Sequence, residues 1–227
     1  MIWFFLSVEI LNGVGSIHQL VECHVLVDGC DFFKILGRLG EFIQEIPDDL
    51  DVSAPNKELY RGECILPVIS EKVGKTVILS MTAVTRTHGD NGFTCTTAFW
   101  DHDAKNALKS AYFAAMAYNK EVTGSDDFFL NNSFMVSVGP EMSRLLGSSL
   151  GAGAALCFLS VALNRSIPAI GVTGEMAASG RLHRIGAVKE KLACCARKHI
   201  KLCVPYDNFS ECCESGLDNF VIVKTLR

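Results

Sequence analysis

Several features that would point straight to a function are missing from this sequence. There is no lysine- and arginine-rich block interleaved with aromatics, and 21 basic residues face 25 acidic ones for a net charge of −4. Nucleic-acid binding rests on neutralising phosphates, so no nucleic-acid partner is expected. No apolar run approaches the roughly 20 residues needed to span a bilayer. The apolar opening "MIWFFLSVEIL" is short, is interrupted by Glu9 and has neither a basic leader nor a small-residue cleavage site. It reads as a buried strand or helix rather than a signal peptide, and no membrane association is expected. No G-x-x-x-x-G-K-[ST] motif occurs, so the chain cannot itself drive unfolding with ATP. No H-E-x-x-H pair occurs among the six scattered histidines.

Cysteine is abundant, yet its arrangement excludes the usual frameworks. Of ten cysteines, Cys194–Cys195 and Cys212–Cys213 are adjacent pairs, without the two-to-four-residue spacing of a zinc knuckle. Cys23, Cys30, Cys64, Cys95, Cys157 and Cys203 are scattered through apolar stretches. They read as reduced, core-filling thiols in an intracellular, reducing compartment such as cytoplasm or organelle matrix. Neither a metal nor a cofactor is expected.

What is present is 227 residues, 49% of them hydrophobic, enough for one sizeable core with an appendage. Residues 1–55 form that appendage. They hold a strand-like run at 20–29 and a stretch at 31–46 with apolar residues at helical spacing. The loop-like "PDDLDVSAPN" then places a boundary near residue 56, and residues 56–227 form the main domain. In it, "GECILPVIS", "KTVILSMTAVTR", "NGFTCTTAFW", "NNSFMVSVGP", "PAIGVTGE", "KLCVPYDN" and "NFVIVKTL" read as strands. An alanine-rich helix opens with an Asp at its start and covers 102–122, a small-residue helix covers 149–163, and an amphipathic one covers 185–200. Strands and helices mix without βαβ alternation, so the fold class is α+β.

The stretch "LLGSSLGAGAAL", residues 145–156, is the one that invites chemistry. Gly147 to Gly153 has the wrong spacing for a P-loop, and Leu156 stands where a dinucleotide fingerprint needs its third glycine. A buried helix of small residues is one remaining reading. The other is a serine nucleophile at a helix N-terminus, where free N–H groups and the helix dipole favour an oxyanion. Such a serine needs a base. His102, His183 and His199 are candidates, as are Lys189 and Lys191 at the start of the amphipathic helix. On a helical wheel the two lysines flank the Val188–Leu192–Cys195 face symmetrically, and periodicity does not choose between them.

Residues 171–208, "GVTGEMAASGRLHRIGAVKEKLACCARKHIKLCVPYDN", closely resemble the proteolytic domain of Lon proteases. Thr173, Gly174, Glu175, Gly180, Leu182, Ile185, Gly186, Lys189, Glu190, Lys191, Ile200, Lys201, Pro205 and Asn208 fall on that family's pattern. Upstream, "FMVSVGPEMSRLLGSSLG" aligns without a gap to the segment holding the family's "GPSAG", and the likeness runs over roughly 60–225. The resemblance implies a Lon proteolytic-domain fold and a Ser-Lys dyad. In that dyad Ser149 is the nucleophile, Lys191 the general base and Thr173 a support for the lysine ammonium. Gly147 and Ser148 belong to the oxyanion loop. It also implies a polypeptide substrate, bound by pairing with a strand edge for which "FMVSVGP" is the candidate, and assembly as a homo-oligomeric ring.

There are departures from the pattern. Arg144, Leu145 and Leu146 replace a Pro-Lys-Asp run, Ser148 replaces the proline, and Ser137 stands where the family has a histidine. The family's last helix has no counterpart before the chain stops at "VIVKTLR". The expectation is an ATP-independent serine endopeptidase. The alternatives are a catalytically silent binding or assembly domain, or the protease part of a larger system with a separate ATPase.

Overall fold

The computed structural model describes residues 4–10, 17–23, 61–70, 73–86, 92–96, 98–140 and 142–225. The stretch at 31–46, the loop at 47–56 and the boundary near residue 56 lie outside the described residues, as does the latter part of the strand-like run at 20–29. The opening residues do form a strand, β1 (Phe4–Ile10), paired antiparallel with β2 (Ile17–Cys23).

The chain's organising element is a seven-stranded mixed sheet. Its order is β13 (Phe220–Val223), β12 (Leu202–Pro205), β9 (Gly171–Val172), β3 (Arg61–Ser70), β4 (Val73–Thr85), β7 (Asn132–Val138) and β5 (Phe93–Cys95). The pairs β13–β12, β12–β9, β9–β3 and β7–β5 are parallel, while β3–β4 and β4–β7 are antiparallel. With helices packed on it, this is the α+β class. In β4 the residues Val77, Leu79 and Met81 are buried, whereas Ile78 and Val84 on the alternate face are exposed, the period-two signature of a strand.

Among the described residues, five helices pack with the strands. The long α1 (His102–Thr123) starts where Asp101 accepts a hydrogen bond from the Ala104 N–H, and it stops at Gly124 with φ 78°. Next come α2 (Asp127–Asn131) and α3 (Gly151–Leu163), then α4 (Val188–Ala196) and α5 (Phe209–Glu214). Every residue from Gly151 to Val161 is buried, as the apolar-all-round composition of α3 predicts. It packs against β3 and β4 on one side and α1 on the other. The aromatics Tyr112, Phe129, Phe134 and Phe158 interlock there edge to face, with centroids 4.9 Å apart for Phe134 and Phe158.

Alternation along β12 shows where α4 lies. Cys203 joins the large core with α3, whereas Leu202 and Val204 join a second cluster with Val188, Leu192, Cys194 and Cys195 of α4. Successive side chains point to opposite faces, so α3 and α4 cover opposite sides of the sheet.

Two strand expectations change. "NGFTCTTAFW" is not one strand; the chain folds at Thr96–Ala98, where the Ala98 N–H bonds the Thr96 carbonyl at 3.0 Å. Its closing residues form a separate strand, β6 (Phe99–Trp100), which pairs instead with β8 (Arg144–Leu145). The segment "FMVSVGP" is not a free edge over most of its length. Its strand β7 lies between β4 and β5, with Phe93–Cys95 paired to Phe134–Val136, so β5 covers it as far as Val136. The short helices α2 and α5 and the two-residue hairpin β10 (Glu175–Met176) with β11 (Leu182–His183) are not expected from the sequence pattern.

Candidate active site

Ser149 lies in a 3-10 turn, Ser148–Leu150, that runs directly into α3. Gly147 precedes the turn with φ 85° and ψ 168°, a conformation open essentially to glycine alone. The N–H groups of Ser148 and Ser149 open this turn and have no acceptor within it. Gly151 lets the start of α3 come close to β10. A Cβ there would lie 2.8 Å from the Met176 nitrogen and 2.9 Å from its Cβ.

That close approach brings the turn against Thr173 and Gly174, just beyond β9. The Gly174 N–H donates to the Ser149 carbonyl at 2.8 Å, and the Ala152 N–H donates back to the Gly174 carbonyl at 2.9 Å. The Thr173 hydroxyl donates to the same Ser149 carbonyl at 3.2 Å. Thr173 is itself tied to β12 through its N–H and the Cys203 carbonyl, 3.1 Å apart. The serine backbone is thereby pinned to the middle of the sheet.

Lys191 arrives from the opposite face, on α4. Its Nζ donates to the Ser149 Oγ at 2.9 Å and to the Thr173 Oγ1 at 3.1 Å. The symmetry of the helical wheel is broken by what surrounds the helix. Lys191 is only 4% exposed, whereas Lys189 is exposed, with its Nζ 3.8 Å from Glu214 of α5. Among the described residues no carboxylate forms an ion pair with Lys191. Burial therefore pushes its pKa down to about 8 from an ordinary 10.5, with the Cys194 and Cys195 thiols pushing weakly the other way.

The other candidates lie apart from this cluster. His102 opens α1 and is exposed, His199 lies just past α4 and is exposed, and His183 sits half-buried in β11. Ser137 is on β7. Ser148 points to the outside of the loop, where its hydroxyl donates to the Glu175 Oε2 at 2.8 Å. Leu146, in place of the expected acid, is 56% exposed, and Arg144 lies over the Phe99 ring, 5.4 Å from its centroid. Sequence reasoning missed the role of Asp101 at this loop: its carboxylate accepts from the Gly147 N–H at 3.1 Å, 46 residues away in sequence. No local pattern could have announced that contact. Asn208, which falls on the family pattern, is fully buried; it accepts from the Ile185 N–H and donates to the Ile185 carbonyl, holding the approach to α4.

The half-buried Ser149 hydroxyl, the buried Thr173 hydroxyl and a buried amine partly neutral near pH 8 make an arrangement in which a hydroxyl can lose its proton to a neighbouring amine. Among the described residues, no group of three or more potential metal ligands occurs. The fold is an α+β mixed sheet with helices on both faces, and it gathers these two hydroxyls and the amine in one place. The chain matches the family described as Lon protease (S16) C-terminal proteolytic domain over residues 68–215, and it belongs to that family. It is 32% identical over 109 residues to the mitochondrial Lon protease homolog of Saccharomyces cerevisiae, covering 47% of this chain and 10% of that protein. The corresponding Candida glabrata protein is 37% identical over 109 residues, covering 47% of this chain and 11% of that protein. Lon protease 1 of Borreliella burgdorferi is 28% identical over 131 residues, 54% of this chain and 16% of that protein. The chain thus spans about a tenth to a sixth of the length of these relatives. No described helix is long and apolar enough to cross a membrane.

Proposed function

We propose that this chain is a serine endopeptidase that hydrolyses polypeptides through Ser149 as nucleophile and Lys191 as general base, without nucleotide. The observation that carries the reading is the 2.9 Å contact between the Nζ of the buried Lys191 and the Ser149 Oγ, with no carboxylate among the described residues ion-paired to the amine. In the neutral state of the amine, the same contact lets the serine hydroxyl donate its proton to Nζ as Oγ bonds to the scissile carbonyl carbon. The tetrahedral oxyanion is stabilised by N–H groups at the mouth of the Ser148–Leu150 turn. The ammonium then returns its proton to the leaving amine as the C–N bond breaks, leaving an acyl-enzyme on Ser149. Water, deprotonated by Lys191, attacks that ester; the acid product leaves and Oγ regains a proton. Thr173 accepts from Nζ and donates to the Ser149 carbonyl, orienting both partners.

At pH 7 about a tenth of the molecules hold a neutral Lys191 given its pKa of about 8, against about 0.03% at the ordinary value. Activity on an unfolded substrate such as casein should rise about tenfold from pH 7 to 9, with a midpoint near 8. Ser149→Ala and Lys191→Ala should both abolish cleavage and labelling by a fluorophosphonate. Cleavage by either variant at the wild-type rate refutes the dyad, and a wild type that neither cleaves nor labels favours the silent binding domain instead.

Eight cysteines, Cys64, Cys95, Cys157, Cys194, Cys195, Cys203, Cys212 and Cys213, are free thiols, in keeping with a reducing intracellular compartment. Because the chain spans only part of its relatives, a second reading makes it the protease component of a larger ATP-dependent system, in a ring and with a separate ATPase. Stimulation of cleavage by added nucleotide in the native assembly, absent from the isolated chain, distinguishes the two. The division into residues 1–55 and 56–227 belongs to the same proposal: removal of 1–55 should leave the hydrolase competent.

A further inference from the structure

The proposed nucleophile is fastened very unequally on its two sides. On the C-terminal side, the Ser149 carbonyl takes hydrogen bonds from Thr173 and Gly174, and α3 continues from there within the core. On the N-terminal side packing ends at the buried Leu145, and residues 146–148 have little of it. Leu146 is exposed, a Cβ on Gly147 would meet nothing within 4 Å, and Ser148 is only half-buried. Gly147 nonetheless holds the uncommon pair φ 85°, ψ 168°, and glycine is the residue with most freedom to leave any one conformation. Something other than packing must select that state.

Two carboxylates reach the loop. The Glu175 Oε2 accepts from the Ser148 hydroxyl at 2.8 Å, but this bond is exposed and water competes for it. Asp101 is better placed. Its N–H donates to the Leu145 carbonyl at 3.2 Å, extending the β6–β8 ladder by one residue. Its carboxylate then spans two N–H groups at once, Ala104 at 2.7 Å through Oδ1 and Gly147 at 3.1 Å through Oδ2. One side chain thus caps α1 and fixes the peptide unit two residues before Ser149. The acid and proline that the family pattern carries at 146 and 148 are absent here, so no carboxylate comes from the loop itself.

We propose that Asp101 is a positioning residue of this site: it holds Gly147 so that the Ser148–Leu150 turn presents the Ser149 Oγ to Lys191, and it keeps the Gly147 N–H engaged, which leaves the Ser148 and Ser149 N–H groups as the oxyanion donors. The inference rests on the reading of Ser149 as nucleophile.

The test is Asp101→Ser. Serine is a good helix N-cap, so α1 stays capped, but its hydroxyl is too short to serve Ala104 and Gly147 together. The expected result is an unchanged thermal midpoint, with fluorophosphonate labelling of Ser149 and peptidase kcat both lowered about 10- to 100-fold while KM stays within about twofold. Amide exchange at Gly147, measured with no substrate present, should be faster in the variant, and the pH midpoint of activity should not move.

Three results overturn the proposal. One is labelling of Asp101→Ser at the wild-type rate. Another is a loss of activity matched by a fall in thermal midpoint, which makes Asp101 only a helix cap. The third is unchanged exchange at Gly147. If instead the wild type itself fails to label, the Ser149 reading falls first, and the exchange measurement still reports whether Asp101 orders the loop.

Discussion

Replacing Lys191 by methionine should make the protein more stable at neutral pH and less stable at alkaline pH. The side chain is almost fully buried, and its pKa falls to about 8 from 10.5 because burial disfavours the charged form. A lowered folded-state value means that the unfolded chain binds more protons between about pH 8 and 10.5, so wild-type stability rises with pH across that window. Below pH 8 both states are protonated and the full penalty applies, about 3 kcal/mol for the shift. At pH 9.5 the residual penalty is about 1 kcal/mol. Methionine removes the penalty but also removes the hydrogen bonds to Ser149 and Thr173, worth about 1 kcal/mol each. The variant should therefore lead by about 1 kcal/mol at pH 7 and trail slightly at pH 9.5, a swing of about 2 kcal/mol. Urea unfolding of both chains at the two pH values measures this. A stability difference that stays constant with pH refutes a depressed lysine, and with it the source of the neutral base.

Two further substitutions probe the scaffold. Gly151→Ala forces a methyl to within 2.8 Å of the Met176 nitrogen, so the start of α3 must back away from β10; stability should drop by about 1–3 kcal/mol and labelling of Ser149 by tenfold or more, and an unchanged melting midpoint would sink that account. Ala187 precedes α4 in a left-handed conformation with φ 56° and ψ 42°. Ala187→Gly should raise stability by about 0.5–1 kcal/mol, read as a higher urea midpoint, with activity retained.

Much of this architecture is legible in the residues, and the exceptions have physical causes. The helices α1 and α3 announce themselves through composition over 22 and 13 residues and, for α1, an acidic cap. The six residues of α5 and the five of α2 are too short for a 3.6-residue period to emerge. The threonine-rich run near Thr96 looks like continuous strand because β propensity is local, while the bend there is set by pairing of Trp100 with Leu145, far along the chain. Lys191 shows the same limit in the proposed site. Two lysines flank one helical face equally, and the difference between them arises only when the end of β9 and the start of α3 bury one side while Glu214 faces the other. The Asp101 contact is more remote still, joining the start of one helix to the turn before another.

The segments that carry Ser149 and Lys191 are anchored in different hydrophobic clusters on opposite faces of the sheet, the first through Leu150 and Ala152 and the second through Val188 and Leu192. Neither cluster alone brings hydroxyl and amine together, and two residues 42 positions apart must be folded back on each other before the pair exists. On the proposed reading, a chain still emerging from synthesis, or one half unfolded by stress, holds a serine with no base and a lysine that is fully protonated in water. The proposed pair then stays harmless to its own nascent copies until α4 has docked against the end of β9 and the start of α3.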